Sequence, residues 1–266
     1  MPWVLRGLRD GILTTQWPRG GDDYFDGFDG AVTVRTAARD HPTLPDEVTD
    51  AAATCPTSAI STQPRLQLDR GRCILCGRCV ARAPEWFAWA PGCGTSALIR
   101  ATLIVRQVEE TDEALAAVHA ALAHRVRRLR RSVHIRHVDA GSDGSDEWEI
   151  YALTNPVYDV HRLGIFFTAS PRHADILLAT GIGTAGMTEP LRRTLDAMPD
   201  PKVVIAVGAD AISGGLIGGG YTGNTGISDL VDVDVWVPGA PASPFSLLHA
   251  ILLALGRLPH EVNEPP

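Results

Sequence analysis

The sequence predicts an α/β protein in two parts, a C-terminal parallel-sheet layered domain preceded by a small α+β domain organised around cysteines. Two observations predict it. From residue 133 onward, continuous Val/Ile/Leu runs alternate with helical segments, the pattern of strands buried on both faces of a parallel sheet. Four of the five cysteines fall between residues 55 and 79, in short segments punctuated by Pro and Gly. A chain of 266 residues and 28.5 kDa has room for two modest domains. Its 45% hydrophobic and 21% charged residues are those of an ordinary globular protein. With Lys+Arg at 24 against Asp+Glu at 31, the net charge of −7 argues against a nucleic-acid binder.

Taken in order, residues 1–95 read as the cysteine-bearing domain with an irregular N-terminal arm rich in Gly, Pro and Asp and carrying Trp3 and Trp17. Residues 96–132 read as a strand and a linker helix. The run SALIRATLIVRQ, 96–107, is apolar enough for one strand. Thr111 is a candidate N-cap, Asp112 and Glu113 suit the positive start of a helix, and the arginines from Arg125 to Arg131 suit its end. Leu115, Val118, Leu122 and Leu129 form its apolar stripe, and the arginine run is read as a solvated face. Within 133–258, strands are expected at VHIRHV, LGIFFT, DILLAT, VVIAVG and VDVWVPG. Helices are expected at EWEIYALTN, TEPLRRTLDAM and SPFSLLHAILLALGRL. Loops at the carboxyl ends of such strands, AGSDGSDE, TGIGTAGM, GADAISGG and PGAPAS, are where sites are built. Residues 259–266 form a tail. Gly181-Ile-Gly183-Thr-Ala-Gly186 has the spacing of a dinucleotide fingerprint, but no acidic residue stands at a strand end about 20 residues on, so it reads as a tight turn. The Gly-rich stretch 214–226 lacks the Lys-Ser/Thr of a phosphate loop and reads as a flexible loop.

The cysteines carry the chemistry. Cys73-x-x-Cys76-x-x-Cys79 lies eighteen residues after Cys55-Pro56. In two-cluster ferredoxins built on paired C-x₂-C-x₂-C-x₃-C-P runs, the fourth cysteine of each run ligates the other run's cluster. Here the second run has Ala83 before Pro84, and the first retains only Cys55, with Pro45, Val48 and Ala51 at the earlier spacings. The survivors are the ligand set of a single [4Fe–4S] cluster, in a small ferredoxin-like α+β domain. Structural zinc sites pair two knuckles, which this spacing does not offer. A disulfide framework is disfavoured because five cysteines without a secretory h-region read as a reducing compartment. Cys93 is left over and reads as an ordinary free thiol. The longest apolar stretch, Leu247 to Leu255, is far short of the ~20 residues of a membrane span, so any membrane association is expected through partners.

Residues 133–258 resemble the small cluster-bearing subunit of the NADH:quinone oxidoreductase and membrane-bound hydrogenase/formate hydrogenlyase group. The resemblance rests on EWEIYALTNPVYDVHRLG, ASPRHADILLATG, MPDPKVVIAVG followed by SGG, and VDVWVPG. It implies a flavodoxin-like α/β domain whose loops hold a [4Fe–4S] cluster through four cysteines. This chain departs from the pattern at all four, with Asp143 and Asp146 in the first loop, Asp210 after VVIAVG and Ala240 in the P-G-C-P turn. The resemblance therefore implies a degenerate site that has lost its thiolates. The first ninety or so residues are more loosely similar to the two-cluster ferredoxin-like subunit of the same machinery, through GILTTQWP, DGFDGAVTV, CPTSAI and the later cysteine run.

The resemblance implies an electron-transfer subunit with one [4Fe–4S] cluster and no catalytic residue of its own. Its partners would be a hydrogenase- or quinone-oxidoreductase-like large subunit and membrane subunits. It would sit in the cytoplasm, peripheral to the inner face of the cell membrane. The alternative is a structural or docking subunit with no obligatory redox role. Arg172 and His173 are candidates for a partner or quinone contact, against a structural ion pair or cap with Asp175. Asp143, Asp146 and Asp210 offer oxygen ligands to a hard cation, against the preferred reading that short polar residues fill a hollow left by the lost cluster.

Overall fold

The computed structural model describes residues 2–35, 44–105, 112–127, 129 and 132–258. Thr111, Arg130, Arg131, the side chain of Leu115 and the tail from 259 lie outside the described residues.

The N-terminal arm is more regular than its composition suggests. It contains α1 (Trp3–Asp10), α2 (Asp23–Gly27) and β1 (Ala31–Val34). The Asp22 carboxylate accepts from the Tyr24 and Phe25 amides, capping α2 with a local signal too short to stand out in a Gly- and Asp-rich stretch. The small unit continues with α3 (Asp46–Ala53), β2 (Ile60–Ser61), β3 (Gln67–Asp69), α4 (Arg78–Arg82) and β4 (Phe87–Ala90). The first and last strands pair, β1 antiparallel to β4, and the middle two pair, β2 antiparallel to β3. Two strand–helix–strand halves thus fold onto each other, with α3 against α4. Their shared core gathers Val32, Val48, Leu68 and Phe87 with Cys73 and Cys79.

The described part of the run 96–107, residues 96–105, does not form one strand. Ala97 bridges Trp236, a 3₁₀ turn spans Arg100–Leu103, and among the described residues β5 (Ile104–Val105) is the strand of this run, pairing with β3. The apolar run divides because its two ends serve different sheets as the chain crosses between the units. Helix α5 (Asp112–Arg125) follows. Val118 is partly buried, whereas Leu122, Val126 and Leu129 are buried in the core of the larger unit.

The larger unit runs β6 (Val133–Asp139), α6 (Ser145–Ala152), β7 (Ile165–Phe167), β8 (Ile176–Thr180), α7 (Ala185–Ala197), β9 (Val203–Val207), α8 (Gly208–Ser213), β10 (Val235–Val237) and α9 (Pro244–Ala254). Its five strands form one parallel sheet in the order β10-β9-β8-β6-β7. All five residues of β8 and of β9 are buried, as continuous apolar runs predict for strands covered on both faces. One face packs against α9, where Leu247, Leu248 and Ile251 are fully buried. The other packs against Leu191 of α7 and Ile212 of α8. The arm is tied to this unit as well. Thr14 Oγ1 donates to Pro156 O at 2.7 Å, Thr15 N–H donates to Val157 O at 2.8 Å, and Trp17 packs among Phe25, Phe245 and His249.

Candidate metal centre

Helices α3 and α4 deliver the cysteines to one place. Cys55 follows α3, Cys73 and Cys76 sit on the loop between β3 and α4, and Cys79 lies within α4. All four line one hollow of about 350 Å³ counting its open mouth, closed at the back by Val32, Ile60 and Leu68. Cys73 and Cys79 are buried, Cys55 is half-buried and Cys76 is exposed at the mouth. The Ala59 amide donates to Cys55 Sγ at 3.3 Å. The backbone amides of Leu75 and Val80 lie where they favour the ionised forms of Cys73 and Cys79. Two residues of these loops hold left-handed backbone without being glycine, Ser58 at φ 51° and Leu75 at φ 54°. Such conformations persist where the surroundings over-determine them, and they gather at functional sites.

Electrostatics shows what the hollow requires. Burial pushes the Cys73 thiol up to about 11, and the neighbouring Cys79, Cys55 and Cys76 add to the effect. Cys79 is raised by burial, with Cys76 and Cys55 adding to it. The buried thiols of Cys73 and Cys79 therefore resist ionising unless a cation meets them. Among the described residues, no three His, Cys, Asp or Glu side chains are close enough to share a single metal ion. The sulfurs surround a hollow instead of converging on a point.

At the other candidate site, the loops at the carboxyl ends of the sheet do come together. Asp146, in the first turn of α6, is buried, and its Oδ1 accepts the Ala242 amide at 2.9 Å. Burial raises its carboxyl to about 7, despite that hydrogen bond, with Glu147, Asp210 and Asp143 adding repulsion. Asp210, in the first turn of α8, is raised to about 6 by burial and the charges of Asp143 and Glu147. Asp143 is exposed, and its Oδ1 accepts the Ser145 hydroxyl at 2.6 Å and the Ser145 amide at 2.9 Å, which hold its pKa low. Ala240 is exposed in the β10–α9 turn. Beside them, Thr180 donates to Glu147, and His137 Nε2 lies 3.0 Å from Thr180 Oγ1. No motif announces this neighbouring polar group, because its members are spread over two strands and a helix.

Arg172 and His173 are not part of this cluster. They form an exposed 3₁₀ turn just before β8, at the amino end of that strand. Asp175 turns instead to β6, accepting the His134 amide at 2.8 Å. Within 181–186, Gly181 has a packing reason. A methyl at Gly181 would stand 2.5 to 2.7 Å from the backbone of Gly141 and Ser142, so a glycine is needed for the two site loops to touch. Cys93 is buried, receives a hydrogen bond from Ser243 Oγ at 3.5 Å, and belongs to the core of the larger unit.

These features define a class, a parallel α/β layer whose strand-end loops form a site, joined to a smaller cysteine-lined unit. Residues 144–254 match the family described as NADH ubiquinone oxidoreductase, 20 kDa subunit. Formate hydrogenlyase subunit 7 of Escherichia coli (strain K12) is 39% identical over 152 residues, 57% of this chain and 58% of that protein, so the chain spans less than two thirds of that relative. A probable membrane-bound hydrogenase subunit of Pyrococcus furiosus is 40% identical over 130 residues, 49% of this chain and 78% of that protein. A chain in the structure of the membrane-bound sulfane sulfur reductase, an archaeal respiratory membrane complex, aligns with a TM-score of 0.45 and 27% identity, over 52% of this chain and 76% of that one. The chain belongs to the NADH ubiquinone oxidoreductase 20 kDa subunit family. Members of that family generally carry an iron–sulfur cluster. No cysteine of this chain lies beyond Cys93, outside the matched region. Among the described residues no helix is long and apolar enough to cross a membrane.

Proposed function

We propose that this chain is an electron-transfer subunit of a membrane-associated complex of the hydrogenase or NADH:quinone oxidoreductase type, holding one [4Fe–4S] cluster through Cys55, Cys73, Cys76 and Cys79. The observation that carries the reading is that four of the five cysteines, the run 73–79 and Cys55 eighteen residues before it, line one hollow. A bound [4Fe–4S] cluster supplies transfer of one electron at a time. The protein's part is to present four thiolates, hydrogen-bond the Cys55 sulfur from the Ala59 amide, and keep two of the sulfurs dry. A [4Fe–4S] cluster takes four cysteine ligands, the number that lines this hollow.

The paired strand–helix–strand halves of the small unit support a ferredoxin-like domain over residues 1–95, followed by a connecting segment over 96–132 and the family's α/β domain over 133–258. That arrangement is read as a fusion of two subunits that would otherwise be neighbours, a covalent link replacing an interface. The family's own cluster position is read as emptied at Asp143, Asp146, Asp210 and Ala240, and filled by hydrogen-bonded carboxyls. Partners would be a large catalytic subunit and membrane subunits, with the chain peripheral on the inner membrane face.

One observation favours a second reading. Cys73 and Cys79 belong to the core of the small unit, so a cluster there could serve mainly to hold that unit together. Anaerobic purification with iron and sulfide analysis and EPR separates the two. Four iron and four sulfide with a reducible signal support electron transfer, whereas a loaded but irreducible cluster leaves the structural role. An iron-free protein refutes both. Identifying the subunits that co-purify tests the partners.

A further inference from the structure

We propose that Arg70 sets the reduction potential of the cysteine site, its guanidinium being the positive charge that favours an added electron on the side facing the α/β domain. The inference rests on the cluster reading above. Arg70 follows β3, and its Nε donates to Val32 O at 3.1 Å. Val32 and Cys73 line both the thiol hollow and a second, smaller cleft, and Arg70 lines that second cleft together with Pro238 and Gly239. The guanidinium is thereby held at the wall shared by the two spaces. The Cys73 amide donates back to Arg70 O at 3.2 Å, a turn that fixes side chain and sulfur in one neighbourhood. Across the cleft, Gly239 leads directly into the turn bearing Ala240 and, two residues on, the amide bound by Asp146. Arg70 therefore stands between the cysteine site and the emptied loops.

The other arginines nearby are differently placed. Arg100 and Arg72 both face Asp69, at 2.7 and 3.7 Å, which neutralises them. Arg78 lines the hollow but is exposed, so water screens it. Arg70 is partly buried, and among the described residues it makes no ion pair with a carboxylate. Reduction adds one electron from a one-electron donor, moves no proton, and makes the site more negative by one charge. A poorly screened cation at the wall favours that state, since cluster potential follows local charge, hydrogen bonds to sulfur and exposure.

The test is an EPR-monitored titration with dithionite of the anaerobically purified full chain and of R70Q, R70M and R70K, with iron and acid-labile sulfide measured in parallel. R70Q and R70M are expected to titrate below the wild type by at least about tenfold in the reduction equilibrium, ~59 mV for a one-electron couple, with R70K inside that interval. Loss of iron from the neutral variants while R70K keeps it also supports the proposal, because charge is then what the thiolates require. Equal midpoints in all four proteins, R70K falling with the neutral pair, loss of iron from R70K, or a loaded cluster that accepts no electron overturn it. An iron-free wild type refutes the cluster reading itself, whereas a reducible wild type with an unmoved R70Q midpoint sinks only the role of Arg70.

Discussion

At the scale of single residues, each of the two clusters of ionisable groups gives a prediction. Cys76 is the exposed member of the thiol set, so Cys76→Ser removes a ligand with little loss of packing. It is expected to abolish bound iron and sulfide, and the visible absorbance that accompanies them, while far-UV circular dichroism of the α/β unit persists. Retention of full iron would remove Cys76 from the ligand set. Asp146 tests the other cluster. Its carboxyl is raised from 3.8 to about 7, so the folded state keeps a proton that the unfolded chain releases. Its contribution to stability is thus fullest below about pH 4 and is lost as the pH climbs towards 7. Asp146→Asn keeps an oxygen to accept the Ala242 amide and carries no charge. It should raise the melting temperature at pH 7 to 8 by an amount equivalent to as much as about 4 kcal/mol, since each tenfold change in proton affinity is worth about 1.36 kcal/mol, and flatten the profile between pH 4 and 7. A wild-type melting temperature that rises steadily over that interval contradicts the assignment. The cysteine spacing was legible in the sequence because spacing is a local property. Arg70 was not, because its significance depends on what lies across a cleft.

At the scale of elements, α8 shows how tertiary packing makes a helix that periodicity misses. Its six residues, GADAIS, read as loop, being too few to show a period or to be helical alone. The fold supplies the missing stabilisation. Ala209, Ala211 and Ile212 are buried, the Ala209 amide donates to Gly239 O at 2.7 Å, and Gly214 at φ 84° ends the helix. Gly208 opens it at φ 85°, where a methyl would stand 2.0 Å from Asp146 Oδ2. Gly208→Ala therefore combines backbone strain with displacement of a buried carboxyl, and is expected to cost about 2 to 4 kcal/mol, measured by urea denaturation. A change below about 0.5 kcal/mol, the range of harmless surface substitutions, would show that α6 and α8 are not packed this closely. The sheet strands, by contrast, were legible because burial on both faces forces a continuous apolar run, and each expected strand from VHIRHV to VDVWVPG has a counterpart from β6 to β10.

At the scale of the molecule, the two units are joined through residues that no motif marks. Asp69 of the small unit binds Arg100, and Gly71 lies against Ile212 of α8, where an added methyl would meet Ile212 Cγ2 at 2.7 Å and the Arg100 guanidinium at 2.8 Å. Gly71 is not in left-handed backbone, so Gly71→Ala probes space alone. It should cost about 1 to 3 kcal/mol by overpacking and broaden or split the thermal transition in calorimetry as the units uncouple. A single unshifted transition would count against a tight contact. The N-terminal arm belongs to the same scale. Trp17 and Phe25 stack at 4.6 Å and meet Phe245 and His249 of α9. Residues near the start of the chain thereby cover a helix near its end, a contact that nothing in the arm's own composition foretells.

By itself, the sequence determined what depends on neighbours along the chain: the parallel strands, the helices between them, the cysteine spacing, and the absence of any thiolate beyond Cys93. Only the tertiary structure decided how deeply each cysteine sits in the hollow, that Asp146 and Asp210 are buried until their carboxyls resist ionising, and that Arg70 stands between the two places. Periodicity and ligand spacing are set by backbone geometry and can be read residue by residue. Burial and electrostatic coupling arise only when segments remote in sequence exclude water from one another.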